Sequence, residues 1–272
     1  MDSKRILYVS QEIHPYLPEN EISKASLDLP KKMNDMGHEV RVFMPRYGLI
    51  NERRHQLHEV IRLSGINIIV NDMDQPLIIK VASVPSARMQ VYFIDNEEFF
   101  KRKATFYNES GQFFNDNDQR AIFFCRGVIE TVKKLGWAPD IIHCHGWLAS
   151  FMPLYLRKFH YDDPMFAESK LVFSVYTGKE QEVPATLTEN LSFDGINGED
   201  LSRYENPTIE SLNRAALAYS DAAVIASSDA DRETKDFAVA NVSNTVDITG
   251  DENPATKVAE LYEQIAMEES VA

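Results

Sequence analysis

A short apolar run that breaks at a glycine and resumes as an amphipathic segment commits a chain to an α/β unit, and Pro139 to Ser150 is such a run. It reads Pro-Asp-Ile-Ile-His-Cys-His-Gly-Trp-Leu-Ala-Ser. The Pro-Asp turn launches Ile141 and Ile142, the strand passes through His143-Cys144-His145, and Gly146 leads into a helical segment beginning at Trp147. In an open α/β sheet, ligands bind at the carboxyl ends of central strands, where neighbouring loops diverge and leave a crevice. Two imidazoles, a glycine and an indole at such an end make this the candidate site. The same residues also fit a plainer role, with His143 as an ordinary core histidine and Trp147 covering the sheet.

Other segments repeat the strand-then-helix texture. Arg5 to Ser10 is β-rich and apolar on both faces, as a buried parallel strand requires. A loop with two prolines comes next, then a helix over about Ile22 to Met36 that Gly37 closes, then a strand at Val40 to Met44. Strand, helix, strand in that order predicts a right-handed parallel crossover. From Leu57 to Ile94 the apolar pieces are short. Turn-prone Asn71 to Pro76 separates two of them, predicting a β-hairpin inserted beside the parallel sheet. Asp95 to Asn117 is polar but rich in Phe and Tyr, which suits an ordered loop on the active face. Asp116 or Asp118 caps a long helix that runs to Leu135.

Beyond the opening stretch, the pattern predicts a helix from Trp147 to His160, a strand at Lys170 to Tyr176, a long loop over 177–206 and a helix from Ile209 to Tyr219. Asp221 to Ser227 reads as the last clear parallel strand, with Asp229 able to cap the helical segment after it. A final helix, Ala255 to Glu268, carries a stripe of Val258, Leu261, Tyr262 and Ile265 that must dock on something. The expected organisation is a Rossmann-like, doubly wound, mostly parallel domain over 1–250, with a helix in 251–272 packing back on it.

Composition narrows the function. A formal net charge of −14 opposes nucleic acid and anionic membranes as partners. No stretch approaches the roughly 18 apolar residues of a membrane span, and Met1-Asp2-Ser3-Lys4-Arg5 runs into a strand without an apolar leader, so the expected location is the cytoplasm. The two cysteines, Cys125 and Cys144, fall in a helix and a strand and read as buried free thiols. No metal is expected: successive residues on a strand point to opposite faces, so of His143, Cys144 and His145 only the histidines converge, with no Cys-x-x-Cys pair to help them. No cofactor is expected either. Gln11-Glu12-Ile13-His14 stands where a dinucleotide fold needs its glycine fingerprint, and there is no nucleophile elbow.

Taken together and in order, these motifs resemble the bacterial and plant starch (glycogen) synthases, retaining glycosyltransferases that move glucose from ADP-glucose onto an α-glucan. The resemblance covers about residues 4–237. It rests on Ile6 to Ser10 with Glu12 and Pro15, Gly37 to Val42 with Pro45 and Tyr47, Tyr92 to Asp95, Pro139 to Trp147, and Asp221 to Ser228. It implies the amino-terminal half of a two-domain GT-B fold and assigns Glu12, Tyr107, His145 and Trp147 to the substrate side. Several family positions are altered. The Lys-Thr-Gly-Gly turn after the first strand is Pro18-Glu19-Asn20-Glu21, His-Asp-Trp-His is His145-Gly146-Trp147-Leu148, and the histidine of Thr-Val-His-Asn is Tyr176. Glycine amides and a lysine suit a diphosphate, whereas each carboxylate facing one costs on the order of 1 kcal/mol.

The resemblance leaves three functions open: a domain that holds an α-glucan or small sugar without transferring glucose alone, an interaction or regulatory protein without catalysis, and a glucosyltransferase completed by a partner chain. No catalytic residue is assigned to this chain by itself.

Overall fold

The computed structural model describes residues 3–176 and 183–267. Among the described residues, ten strands form one mixed sheet: β1 Arg5–Ser10, β2 Glu39–Pro45, β3 His58–Glu59, β4 Ile66–Val70, β5 Met73–Val84, β6 Met89–Asp95, β7 Ile141–His145, β8 Lys170–Val175, β9 Ala222–Ile225 and β10 Asn244–Asp247. Their order is β10-β9-β8-β7-β1-β2-β6-β5-β3, with β4 paired to β5. All pairings from β10 across to β6 are parallel, and those of β5 with β3, β4 and β6 are antiparallel. The chain therefore winds outward from β1 through β2 to β6, returns to the other side of β1 at β7, and winds outward again. The reversal falls between β1 and β7, and at such a switch point the connections leave in opposite directions and open a crevice. This is the expected doubly wound sheet with its antiparallel insertion.

Several local expectations change. The hairpin turn is only Asn71-Asp72, both at positive φ (50° and 57°), and pairs Val70 with Met73. That is the left-handed conformation a two-residue turn needs, so Met73 to Pro76 belong to the strand rather than to the turn. Asp116 spends its carboxylate on Arg102 and Asp118 on Thr186 and Asn190, so neither side chain caps the Asn117–Leu135 helix. After Gly146 the chain makes a 3₁₀ turn at Trp147–Ala149, and the α-helix starts only at Phe151. The expected long loop contains two short helices, Leu187–Phe193 and Gly198–Ser202, while 177–182 lie outside the described residues. Asp231 rather than Asp229 caps the Arg232–Asn241 helix, and β10 adds a parallel strand beyond the last one expected.

The helix Pro254–Met267 lies against the Glu21–Asp35 helix, β9 and β10, and buries Val258, Leu261, Tyr262 and Ile265. Its apolar stripe is thus covered by the sheet's own layer.

Candidate functional site

At the switch point β1 and β7 run in register, Tyr8 beside His143 and Ser10 beside His145. Residues i and i+2 of a strand share a face, so the rings of His143 and His145 lie together, 4.1 Å between centroids. Their partners come from this chain. His143 Nε2 meets the Ser174 hydroxyl at 2.7 Å and Nδ1 meets Tyr262 Oη at 2.6 Å, while Tyr262 donates to Tyr8 at 3.0 Å. Because the Tyr262 proton goes to Tyr8, the phenol accepts from His143, which places the imidazole proton on Nδ1 and leaves Nε2 to accept from Ser174. His145 Nδ1 meets Tyr176 Oη at 2.7 Å, and its Nε2 is buried without a partner among the described residues. Burial disfavours the charged form of both rings: His143 is pushed well below the usual imidazole range, His145 down to about 3. These are neutral core histidines, tied to the final helix through Tyr262. Among the described residues no group of three His, Cys, Asp or Glu could hold a metal ion.

Gly146 comes next in the chain at φ +83°, and a Cβ there would overlap the Gln11 side chain. Glycine is required on both counts. Through the space it leaves, Gln11 accepts from the Leu148 N–H at 3.4 Å and donates to Glu12 at 2.9 Å. Asn20 donates to the other Glu12 oxygen at 2.5 Å. Asn20 is also the N-cap of the Glu21–Asp35 helix: its Oδ1 accepts from Ser23 N–H at 2.8 Å and its own N–H donates to Ser23 Oγ, a complete capping box. The helix end that faces the crevice is therefore closed by a side chain, with Glu12, Glu19 and Glu21 around it.

The structure brings the sequence-selected residues together, but not all of them are open. His145 is fully buried and Trp147 is 5% exposed, covered by Phe106 and Phe113 at 5.0 and 5.6 Å. Leu148 and Tyr176 are buried as well, whereas Pro18, Asn20 and Glu21 are exposed. Tyr107 is half-buried, bridged to Phe113, whose ring it meets at 5.3 Å. Arg120 holds this aromatic loop in place, donating to the carbonyls of Phe99 and Thr105 and to Asn117, which in turn donates to the Phe106 carbonyl.

Open volume lies on the far side of Phe113. A groove of about 720 Å³ is lined there by Phe113, Phe114 and Asn115, by Pro184 and Thr186, and by Asn206 and Thr208. Sequence reading selected none of these. Their one signal was the aromatic density of 95–117, because the remaining lining comes from distant segments.

A mostly parallel sheet flanked by helices and doubly wound about the β1/β7 switch point defines the class: one Rossmann-like half of a GT-B glycosyltransferase. The chain belongs to the starch synthase catalytic domain family, whose sequence model matches residues 5–243. It is 38% identical over 180 residues to the glycogen synthase of Chlorobium limicola, covering 66% of this chain and 37% of that protein. It is 37% identical over 196 residues to the glycogen synthase of Chlorobium luteolum, covering 71% of this chain and 40% of that one. The chain thus spans about two fifths of the curated relatives it matches. Its fold is similar to the catalytic domain of starch synthase IV from Arabidopsis thaliana, solved bound to ADP and acarbose, with a TM-score of 0.66 and 16% identity over 82% of this chain and 45% of that one. Among the described residues no helix is long and apolar enough to cross a membrane.

Proposed function

We propose that this starch-synthase-family domain holds an α-glucan or related sugar in the groove beyond Phe113 and does not by itself transfer glucose from ADP-glucose. The groove carries the reading. Phe113 and Phe114 offer apolar ring surface, and Asn115, Asn206, Thr186 and Thr208 offer amides and hydroxyls that donate and accept, the mixture a sugar ring needs. The groove adjoins Trp147 and Tyr107 through Phe113, so Tyr107 and Trp147 act by supporting that surface.

The crevice itself argues against a diphosphate. The Asn20 side chain caps the helix N-terminus where amides would otherwise face phosphate, Glu12 is hydrogen-bonded to it, and Glu19 and Glu21 flank it in sequence, Glu19 lying 3.7 Å from Lys24 of the helix.

Co-sedimentation with glycogen tests the reading. The chain is expected to sediment, Phe113→Ala to remain in solution, and incubation with ADP-glucose and glycogen to release no ADP. Failure of the native chain to sediment would overturn the glucan assignment, and ADP release by the chain alone would overturn the rest. ADP release that requires added cell extract would favour an enzyme completed by a partner chain.

A further inference from the structure

The short helix Leu187–Phe193 is clamped at both ends to the Asn117–Leu135 helix. Thr186 and Asn190 donate to Asp118 at its start, and Asp194 at its end accepts from Arg126 at 2.8 Å and from the Tyr155 hydroxyl. At seven residues, the helix is about 10 Å long. The groove touches its first end at Thr186. A separate cavity of about 240 Å³ touches its second end at Asp194, lined also by Arg126, Glu130, Tyr155, Phe159 and His160.

The chemistry of this cavity is selective. Glu130 is half-buried, and among the described residues its carboxylate makes no hydrogen bond or salt bridge, its charge acting only on the neighbouring His160 ring. Arg126 supplies a guanidinium already anchored on Asp194 and on the Ile69 carbonyl. Phe159 stands at the rim, 41% exposed, against Gly195 and with its ring 5.9 Å from that of Tyr155. One cation between two carboxylates does not suit a phosphate, and the guanidinium does not suit an amine. The polar lining does not suit a purely apolar ligand, which would leave these groups unsatisfied. A neutral polyhydroxylated ring satisfies all of them: its hydroxyls donate to Glu130 and accept from Arg126, while its C–H face rests on the Phe159 ring. The volume lies below the roughly 300–1,000 Å³ of drug-sized sites, which suits a single sugar unit.

We infer that this cavity is a second sugar subsite, one that takes a single hexose unit of a glycan at the opposite end of the Leu187–Phe193 helix from the groove. It stands independently of the groove's assignment, since its residues and its argument are separate.

Calorimetric titration of the whole chain with maltoheptaose, maltose and glucose tests it, using Phe159→Ala and Glu130→Gln for the cavity and Phe113→Ala for the groove. Both cavity variants change exposed or half-buried side chains, and circular dichroism melts check that they fold. Binding in the cavity predicts that each weakens the affinity for maltoheptaose about tenfold or more, and that Phe113→Ala leaves that component in place. Cavity variants that bind every sugar as the native chain does would overturn the inference even if Phe113→Ala abolished binding, which is the result the groove alone would give. A native chain that binds none of the three sugars would overturn it too. Loss in the cavity variants with no effect of Phe113→Ala would retain the inference while removing the groove's assignment.

Discussion

The switch-point crevice and the flank of the Leu187–Phe193 helix use similar residue types to opposite ends. In the crevice, polar groups are largely consumed by the chain itself: Ser174, His143, Tyr262 and Tyr8 form one hydrogen-bonded row, Tyr176 takes His145 Nδ1 and leaves only its Nε2 without a partner among the described residues, and Gln11 and Asn20 share Glu12. On the helix flank, Phe113, Phe159, Asn115, Asn206 and Glu130 line open volume. The contrast teaches that chemistry-bearing residues at the end of a central strand are evidence of a site only after their partners are counted. Imidazole, phenol and hydroxyl groups that satisfy one another behave as core.

The strongest way to break that contrast is at Tyr262. If the crevice is core, Tyr262→Ala removes a buried aromatic ring and strands the Nδ1 proton of His143, and should cost about 3–5 kcal/mol of unfolding free energy. Tyr262→Phe keeps the ring and loses only the hydroxyl, leaving His143 without its partner, and should cost about 1–3 kcal/mol. Urea unfolding followed by tryptophan fluorescence reads both. A Tyr262→Ala protein within about 1 kcal/mol of the native one would show that the final helix does not complete the core.

Acid should act next most strongly, and through the same row. His143 and His145 have folded-state pKa values held below the unfolded value of about 6.5, by desolvation first and, for His143, by its neighbour as well. A histidine depressed in this way takes up its proton in the unfolded chain first. Its contribution is therefore fully present above pH 6.5 and is lost as pH falls toward the folded value. Each is expected to remove roughly 1.4 kcal/mol per pH unit below that point. His38, His55 and His160 are lowered by burial too and act in the same direction. Urea midpoints at pH 7.5 and 5.5 should differ accordingly, and His145→Gln should reduce the difference. An unchanged slope in that variant would mean that the ring is not buried as a neutral group.

How much of this was legible in the sequence differs between the two regions. The strand at Ile141 to His145 and its glycine announce themselves because period and breaker coincide, and the reading of His143 as a core residue was available from its strand position alone. Gln11 was not legible as the residue that fills the space beside Gly146. Its reach across two strands depends on register, and the clue was only that glycine stands where the resemblance leads one to expect aspartate. β10 escaped because three of the four residues of its Asn-Thr-Val-Asp edge strand are polar, so it carries no apolar run. The groove and the cavity escaped for a different reason: Asn115, Thr186 and Asn206, like Glu130, Phe159 and Asp194, are assembled from segments far apart in the chain, and no local pattern announces such a meeting.

The smallest expected effect on stability falls at Asn20 and sharpens the comparison most. Asn20→Ala removes the cap from the Glu21–Asp35 helix and should cost about 0.5–2 kcal/mol, while Asn20→Gly should cost only a few tenths, since glycine leaves the helix end accessible to water. Near-neutral in stability, Asn20→Gly nevertheless reopens the backbone amides of that helix end and removes one donor from Glu12. If occlusion and negative charge are what keep a diphosphate out, adding Pro18→Lys, Glu19→Thr and Glu21→Gly to Asn20→Gly should give a melting temperature that rises with ADP concentration, because a ligand that binds only the folded state stabilises it in proportion to ln(1 + [L]/Kd). The native chain should show no such rise. A native chain whose melting temperature already climbs with ADP would show that the capped, acidic turn does not exclude the pyrophosphate, and the crevice would then have to be counted with the open regions of the molecule.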